Sequence, residues 1–187
     1  MEAPAVAPYG SFRSPITSDI ALATAGWVWG VPIVVDGDDC YWIEPRPEED
    51  GRYVVMRRSP DGRIECMTPS PFNVRTRVHE YGGGALAIHE GTLFFSNFDD
   101  QRLYRQDPGA PPRPITPEAK LRYADATIDW KRGRLLCVRE DHTGNGKEPT
   151  NTLVSVPLSG MEGGTVIVCG ADFYASPTLS PDGSRLA

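Results

Sequence analysis

The sequence lacks the signals that would place the chain in a membrane or on nucleic acid. It contains no apolar run of about 18 residues, the length at which a transmembrane helix is expected. Its start, MEAPAVAPYG, has no basic segment followed by an apolar stretch, so it does not resemble a secretory signal. The formal net charge is −6, which gives no overall attraction to phosphates. We therefore expect a cytoplasmic protein with neither a membrane nor a nucleic acid partner.

Metal and redox motifs are also absent. The four cysteines, at positions 40, 66, 137 and 169, form no C-x-x-C pair. Without an export signal we expect reduced, mostly buried thiols, with one disulfide as the alternative. His79, His89 and His142 show no i, i+2 or i, i+4 spacing. The acidic clusters at 36–39 and 97–100 do not fit a calcium loop and are typical of solvated hairpin turns. The sequence thus predicts no metal site and no cofactor.

Glycine and proline, in contrast, are abundant. Together, 19 glycines and 18 prolines make 37 of 187 residues, about 20% against a usual 12% or so. Breakers spread along a chain exclude long helices and favour short strands joined by turns. Runs with strand-like composition occur in sets of four over 30–69, 79–117 and 122–170, and another set begins at 175–187. We expect an N-terminal segment, 1–29, that leads into one β domain, 30–187.

These sets of strands repeat along the chain. Thr127-Ile128 and Arg134-Leu135 reappear as Thr178-Leu179 and Arg185-Leu186, 51 residues later. Periods of about 40 to 50 residues with four short strands indicate β-propeller blades, and closed propellers have roughly four to eight of them. The predicted fold class is all-β: a propeller with about three four-stranded blades and the start of a fourth, in an incomplete ring. Another all-β fold, such as a sandwich, is the alternative.

Several segments resemble a known family. They are YGSFRSPIT (9–17), DGDDCYWIEPRPEEDGR (36–52), RTRVHEYGGGA (75–85) and SPTLSPDGSRLA (176–187). The last resembles the Ser-Pro-Asp-Gly repeat of TolB-type propellers. Together, in this order and spacing, the segments resemble the N-terminal propeller of acylaminoacyl-peptidase or dipeptidyl-aminopeptidase-like members of the prolyl oligopeptidase family of serine peptidases.

This resemblance implies a propeller that caps a C-terminal α/β-hydrolase domain with a Ser-Asp-His triad, in an enzyme that hydrolyses short peptides. The chain contains no G-x-S-x-G nucleophile motif. We therefore assign no catalytic residue and expect the chain to be inactive alone. Its expected partners are the remainder of its own polypeptide and a peptide substrate, with homo-oligomerisation through sheet faces or edges as a further expectation.

The candidate substrate-binding residues lie in one segment, RTRVHEYGGG (75–84), where the first set of strands connects to the second. A carboxylate there can pair with the free amine of a peptide, and an arginine can pair with a carboxylate or a carbonyl oxygen. The alternative is a purely structural connection between blades, whose glycines open the inner strand near the crowded axis. Glu80 is the leading candidate. The others are Arg75, Arg77, His79 and Tyr81.

Two questions stay open at this stage. Trp42 and Trp130 occupy predicted strand positions, where large rings pack between blades, whereas Trp27 and Trp29 could pack or form an aromatic surface for substrate. The function also has alternatives. A non-catalytic TolB-like propeller could act as a protein- or ligand-binding scaffold, and a lactonase-like propeller would need acidic and histidine ligands at the axis, where the predicted strands are apolar.

Overall fold

The computed structural model describes residues 33–144, 146 and 148–187, together with 8, 10, 11 and 17. The predictions for Trp27 and Trp29 lie outside the described residues, as does most of the segment 1–29. The boundary placed between residues 29 and 30 therefore stays a prediction.

Three four-stranded antiparallel sheets follow one another along the chain, each with its strands in sequence order. The first contains β1 (Val34–Asp36), β2 (Asp39–Arg46), β3 (Arg52–Arg58) and β4 (Ile64–Cys66). The second contains β5 (Leu86–His89), β6 (Thr92–Ser96), β7 (Leu103–Gln106) and β8 (Arg113–Pro114). The third contains β9 (Leu121–Asp129), β10 (Arg134–Asp141), β11 (Thr150–Pro157) and β12 (Thr165–Cys169). Two short 3-10 helices, η1 (Pro47–Glu49) and η2 (Trp130–Arg132), interrupt the meanders.

This arrangement is a partial β-propeller, which confirms the predicted fold class. The first strands of the sheets are neighbours, since β5 contacts both β1 and β9. The repeat found in the sequence is also present in space. Ile128 pairs with Leu135 in the third blade, and 51 residues later Leu179 pairs with Leu186 in an isolated bridge. Residues 175–187 thus begin a further hairpin of the same kind.

The core lies between the blades, and β6 shows why. All five residues of this strand are buried. Leu93 and Phe95 pack in a cluster with residues of the first blade, including Tyr41 and Val55. Phe94, between them, points to the other side and packs in a cluster with residues of the third blade. Successive side chains of a strand face opposite sides, so a continuous apolar run suits a blade that is covered on both faces.

The structure corrects the prediction for Trp130. This residue begins the 3-10 helix η2 instead of lying in a strand, and it is 40% exposed. The ring contacts that of His89, with centroids 4.7 Å apart. The outer strand of the second blade, Arg113–Pro114, is only two residues long. Ile115 follows it as a buried anchor whose N–H donates to the carbonyl of Leu103.

The expectation of mostly buried thiols is wrong. All four cysteines are free, and only Cys137 is fully buried. Cys66 and Cys169 are exposed because they lie on β4 and β12, the outermost strands of their blades, which have a hydrogen-bonded neighbour on one side only. No helix among the described residues is long and apolar enough to cross a membrane.

Candidate functional site

The candidate segment lies at one end of the blades. Because each blade is an antiparallel meander, the connection that leaves its last strand and the turn between its second and third strands lie at the same end. The connection 67–85, the turn 97–102 and the connection 115–120 therefore share this end, which we call the link face. The sequence-predicted site residues all lie on the first of these connections.

Residues 74–78 of this connection alternate between buried and exposed. Val74, Thr76 and Val78 are buried, and Arg75 and Arg77 are exposed. Val74 forms a bridge with Asn97. The Thr76 hydroxyl donates to the carbonyl of Tyr123 at 2.8 Å, across to the third blade. The connection is thus fixed as an extended segment that presents both arginines on the same side.

His79 and Glu80 form a turn in an uncommon backbone conformation. Their φ angles are 56° and 63°, in the left-handed region, where each non-glycine residue costs about 1–3 kcal/mol. Local hydrogen bonds close the turn: the N–H of Glu80 donates to the carbonyl of Arg77 at 2.9 Å, and that of Gly82 to the carbonyl of Val78 at 2.8 Å. Contacts between this turn and the rest of the protein must offset the conformational cost that these two hydrogen bonds do not cover.

His79 is a structural anchor of this turn. Its side chain is 7% exposed and contacts the rings of Tyr81 and Phe173 at 5.7 and 5.3 Å between centroids. Its Nε2 lies 3.2 Å from the carbonyl oxygen of Tyr174. Since a carbonyl only accepts hydrogen bonds, Nε2 carries the proton in this contact. The His79 backbone N–H donates to Oε1 of Glu140 at 2.7 Å.

Glu80 differs from its neighbour because its side chain is 79% exposed. Its Oε1 lies 2.6 Å from Nη1 of Arg122, at the start of β9. The same Nη1 donates to the carbonyl of Arg77 at 2.9 Å and lies 3.6 Å from Oε2 of Glu140. The hydrogen bond and the charge of Arg122 hold the pKa of Glu80 below its usual range. Glu80 is therefore an ionised, accessible carboxylate on a fixed turn.

Glu140 completes this cluster, and sequence reasoning missed it. It lies on β10 with a side chain only 3% exposed, and a buried charge requires partners. Its Oε1 accepts from His79, and its Oε2 lies 3.1 Å from Nε2 of His142. The available signal was a glutamate in the strand RLLCVRED, where a neighbouring blade was expected to pack.

The glycines after Tyr81 allow a close approach between blades. A Cβ on Gly84 would lie 2.9 Å from Oδ1 of Asp125, and one on Gly83 would lie 3.0 Å from Cβ of Ala124. The N–H of Gly84 donates to Oδ1 of Asp125, whose other oxygen accepts from the N–H of Ser176 at 2.9 Å. Asp125, which the sequence analysis did not single out, thus joins three consecutive parts of the propeller.

The acidic turns have structural partners. Asp36 accepts hydrogen bonds from the N–H groups of Glu90 and Gly91, at 3.1 and 2.7 Å, and so ties the first blade to the second. Asp100 accepts from the hydroxyl of Tyr104 at 2.6 Å. Among the described residues, no group of three or more acidic, histidine or cysteine side chains could hold a metal ion.

The chain is similar to several solved structures of peptidases. A puromycin-hydrolysing peptidase from Mycobacterium tuberculosis is 40% identical, with a TM-score of 0.83. A puromycin hydrolase is 35% identical with a TM-score of 0.84. A mutant of puromycin hydrolase complexed with PGG is 37% identical with a TM-score of 0.82. The alignments cover 98%, 98% and 96% of this chain.

The similarity covers only part of those proteins, because the chain spans 30% of the length of each. No family model matches the sequence. The comparison with curated proteins found no match either. Over almost its whole length, at 35–40% identity and with the same blade architecture, the chain is similar to the propeller part of puromycin-hydrolysing peptidases of the prolyl oligopeptidase family.

Proposed function

We propose that this chain serves as the substrate-binding and gating propeller of a serine peptidase that hydrolyses short peptides. The similar structures are named as peptidases, and this chain spans 30% of their length. No G-x-S-x-G motif occurs in its 187 residues. In this proposal the nucleophilic serine, its histidine base and the oxyanion hole belong to an α/β-hydrolase domain outside the chain.

The exposed, ionised carboxylate of Glu80 is the observation on which the proposal rests. Its side chain is 79% exposed on the link face, and Arg122 keeps it ionised. A free α-amine of a peptide is positively charged near neutral pH, with an ordinary pKa of about 8. An ionised carboxylate at a fixed position can accept charge-assisted hydrogen bonds from such an amine. Glu80 would thus select peptides by their N-terminus and orient them toward the hydrolase domain.

The cost of the turn is consistent with this role. Two consecutive left-handed residues, His79 and Glu80, are held by contacts with Glu140 and Arg122 from the third blade. Strained backbone of this kind persists where the surroundings over-determine it, and it clusters at binding sites. In the proposed function the strain positions the Glu80 carboxylate before substrate arrives, which reduces the entropy lost on binding.

The test is Glu80→Gln in the intact protein, assayed with pairs of short peptides that differ only in whether the N-terminus is free or acetylated. Puromycin serves as a third substrate. For free-amine peptides we expect kcat/KM to fall about 10-fold or more, because a hydrogen bond between charged groups contributes roughly 1.5–3 kcal/mol. For acetylated peptides we expect little change.

Glu65→Gln is the matched control, since Glu65 pairs with Arg57 on the outer part of the first blade. This variant should leave the preference for a free N-terminus unchanged. Equal kinetics of Glu80→Gln on free and acetylated peptides would contradict the role of Glu80 as the amine ligand.

A further inference from the structure

Four basic side chains on the link face make no ion pair within 4.0 Å among the described residues, whereas nine other arginines do. They are Arg75, Arg77, Arg102 and Lys120. Arg102 donates instead to the carbonyl of Thr116 at 2.8 Å. The charges of Arg75, Arg77 and Lys120 are therefore not paired with a carboxylate on this face.

The two arginines are already ordered without an anion. The guanidinium carbon of Arg77 lies 4.3 Å from the centre of the Phe98 ring, and that of Arg75 lies 4.9 Å from the same ring. Arg75 also lies 5.4 Å from the ring centre of Tyr53. Contact with an aromatic ring restrains a guanidinium while its N–H groups stay available for a carboxylate. The side-chain entropy lost on binding an anion is reduced accordingly.

Arg77 and Lys120 also line a common groove of about 300 Å³, together with Arg122, His142, Asp99 and Asp100. Arg122 pairs with Glu80, and Asp100 accepts hydrogen bonds from Asn97 and Tyr104. Among the described residues that line the groove, Arg77, Lys120, Asp99 and Asp100 make no ion pair. Arg77 and Lys120 are thus the cations of the groove whose charge is not already paired with a carboxylate.

We infer that Arg77 and Lys120, with Arg75 beside them, form a binding site for a carboxylate of the peptide substrate. The inference rests on the proposed function, because it concerns the same substrate. The N–H of Glu80 donates to the carbonyl of Arg77. This bond closes a four-residue turn, in which the Cα atoms of the first and last residues are less than about 7 Å apart. An amine at Glu80 and a carboxylate at Arg77 can therefore belong to one short peptide.

The experiment uses Arg77→Gln in the intact protein with peptides that all have a free N-terminus. One pair differs in a C-terminal carboxylate or amide, and a second pair, both amidated, differs in an aspartate or asparagine side chain. For the peptides that carry the recognised carboxylate we expect KM to rise about 10-fold, and for their neutral counterparts we expect less than a twofold change. The pair that responds identifies the source of the carboxylate.

Arg113→Gln is the control, because this exposed arginine lies on the outer strand β8. Lys120→Gln should show the same selectivity in smaller measure. Arg77→Lys, which keeps the charge but loses the planar fork, should fall between wild type and Arg77→Gln, and it replaces Arg77→Gln if that variant shows a lowered unfolding temperature. Equal changes for charged and neutral peptides, or no change, overturn the carboxylate site.

The proposed function and this inference can fail separately. Loss of the preference for a free N-terminus in Glu80→Gln supports the amine ligand and says nothing about the carboxylate. If Arg77→Gln then leaves the preference for carboxylate over amide intact, the carboxylate site alone is refuted. If Glu80→Gln has no effect but Arg77→Gln removes that preference, the carboxylate site stands and the role of Glu80 is refuted.

Discussion

Asp129 illustrates at the scale of one residue how this molecule accommodates a buried charge. Its side chain is 2% exposed at the end of β9. Nε of Arg134 lies 2.9 Å and Nη1 of Arg132 lies 3.1 Å from its Oδ2. Burial by itself raises the pKa of Asp129, but the hydrogen bonds from Arg134 and Arg132 outweigh it, so the pKa lies below its usual range. The folded protein therefore prefers the ionised form.

This preference predicts how stability depends on pH. The folded pKa of Asp129 lies below its unfolded value of about 3.9. The ionised side chain therefore adds its full contribution to the free energy of unfolding above about pH 3.9, and this contribution is lost as the pH falls through the folded pKa. We expect Asp129→Asn to lower the free energy of unfolding by about 1–3 kcal/mol at pH 7. The difference from wild type should shrink below about pH 4, as urea denaturation at several pH values can measure.

Asp61→Asn is the control for this prediction. Asp61 is exposed in the turn after β3, and its Oδ1 accepts from the N–H of Arg63, a contact that asparagine can retain. This substitution should change stability by less than about 0.5 kcal/mol at every pH. A stability difference for Asp129→Asn that stays constant from pH 7 to pH 3 would show that the ionised form is not favoured.

The contact between the second and third blades depends on glycine where the candidate connection enters β5. A Cβ on Gly84 would lie 2.9 Å from Oδ1 and 3.5 Å from Cα of Asp125. That carboxylate cannot move away easily, because it also accepts from Ser176. The backbone of Asp125 is itself held by its N–H, which donates to the carbonyl of Gly84 at 2.7 Å.

We therefore expect Gly84→Ala to lower the free energy of unfolding by about 1–3 kcal/mol, the usual cost of overpacking. Thermal or urea unfolding measures it. Gly144→Ala is the matched control, since Gly144 has no positive φ and the nearest atom to its added Cβ is 4.0 Å away. If both alanine variants unfold alike, the approach of the blades at Gly84 is not limiting.

These elements also show what the sequence could and could not reveal. The three sets of four short strands were predictable, because turn residues and β-rich runs are local signals. The glycine-dependent approach of the blades was foreseen as the structural alternative. Glu140 and Asp125 were missed because their partners, His79 and Gly84, are 61 and 41 residues away. Such pairs depend on how blades face one another, and periodicity within a strand carries no information about that.

The outcome for the candidate residues is divided in the same way. The structure places all five on one connection, but it buries the ring of His79 in a hydrogen-bonded network and leaves Glu80 exposed. Sequence position alone could not separate them, because the two residues are adjacent and share a left-handed backbone. The difference arises from the third blade, which supplies Glu140 to one and Arg122 to the other.

At the scale of the whole molecule, the middle blade and the outermost strand of the third blade differ in how much of their surface is exposed. The middle blade is covered on both faces, whereas every residue of β12 is exposed. Val166, Ile167 and Val168 are consecutive residues of this strand, whose outer edge has no hydrogen-bonded neighbour among the described residues. An exposed apolar edge strand is a template for pairing with another chain. It can be covered by further polypeptide or by a second copy of this one.

This exposure predicts that the 187-residue chain, prepared by itself, self-associates through β12. Ile167→Lys should then shift the population toward the monomer at a given concentration, because a charge on an edge strand opposes pairing. Sedimentation velocity over a range of concentrations measures the shift. Arg113→Lys, on the outer strand of the covered middle blade, should leave the distribution unchanged, since it keeps the charge. If the unsubstituted chain is monomeric at all concentrations, the exposed strand does not promote association.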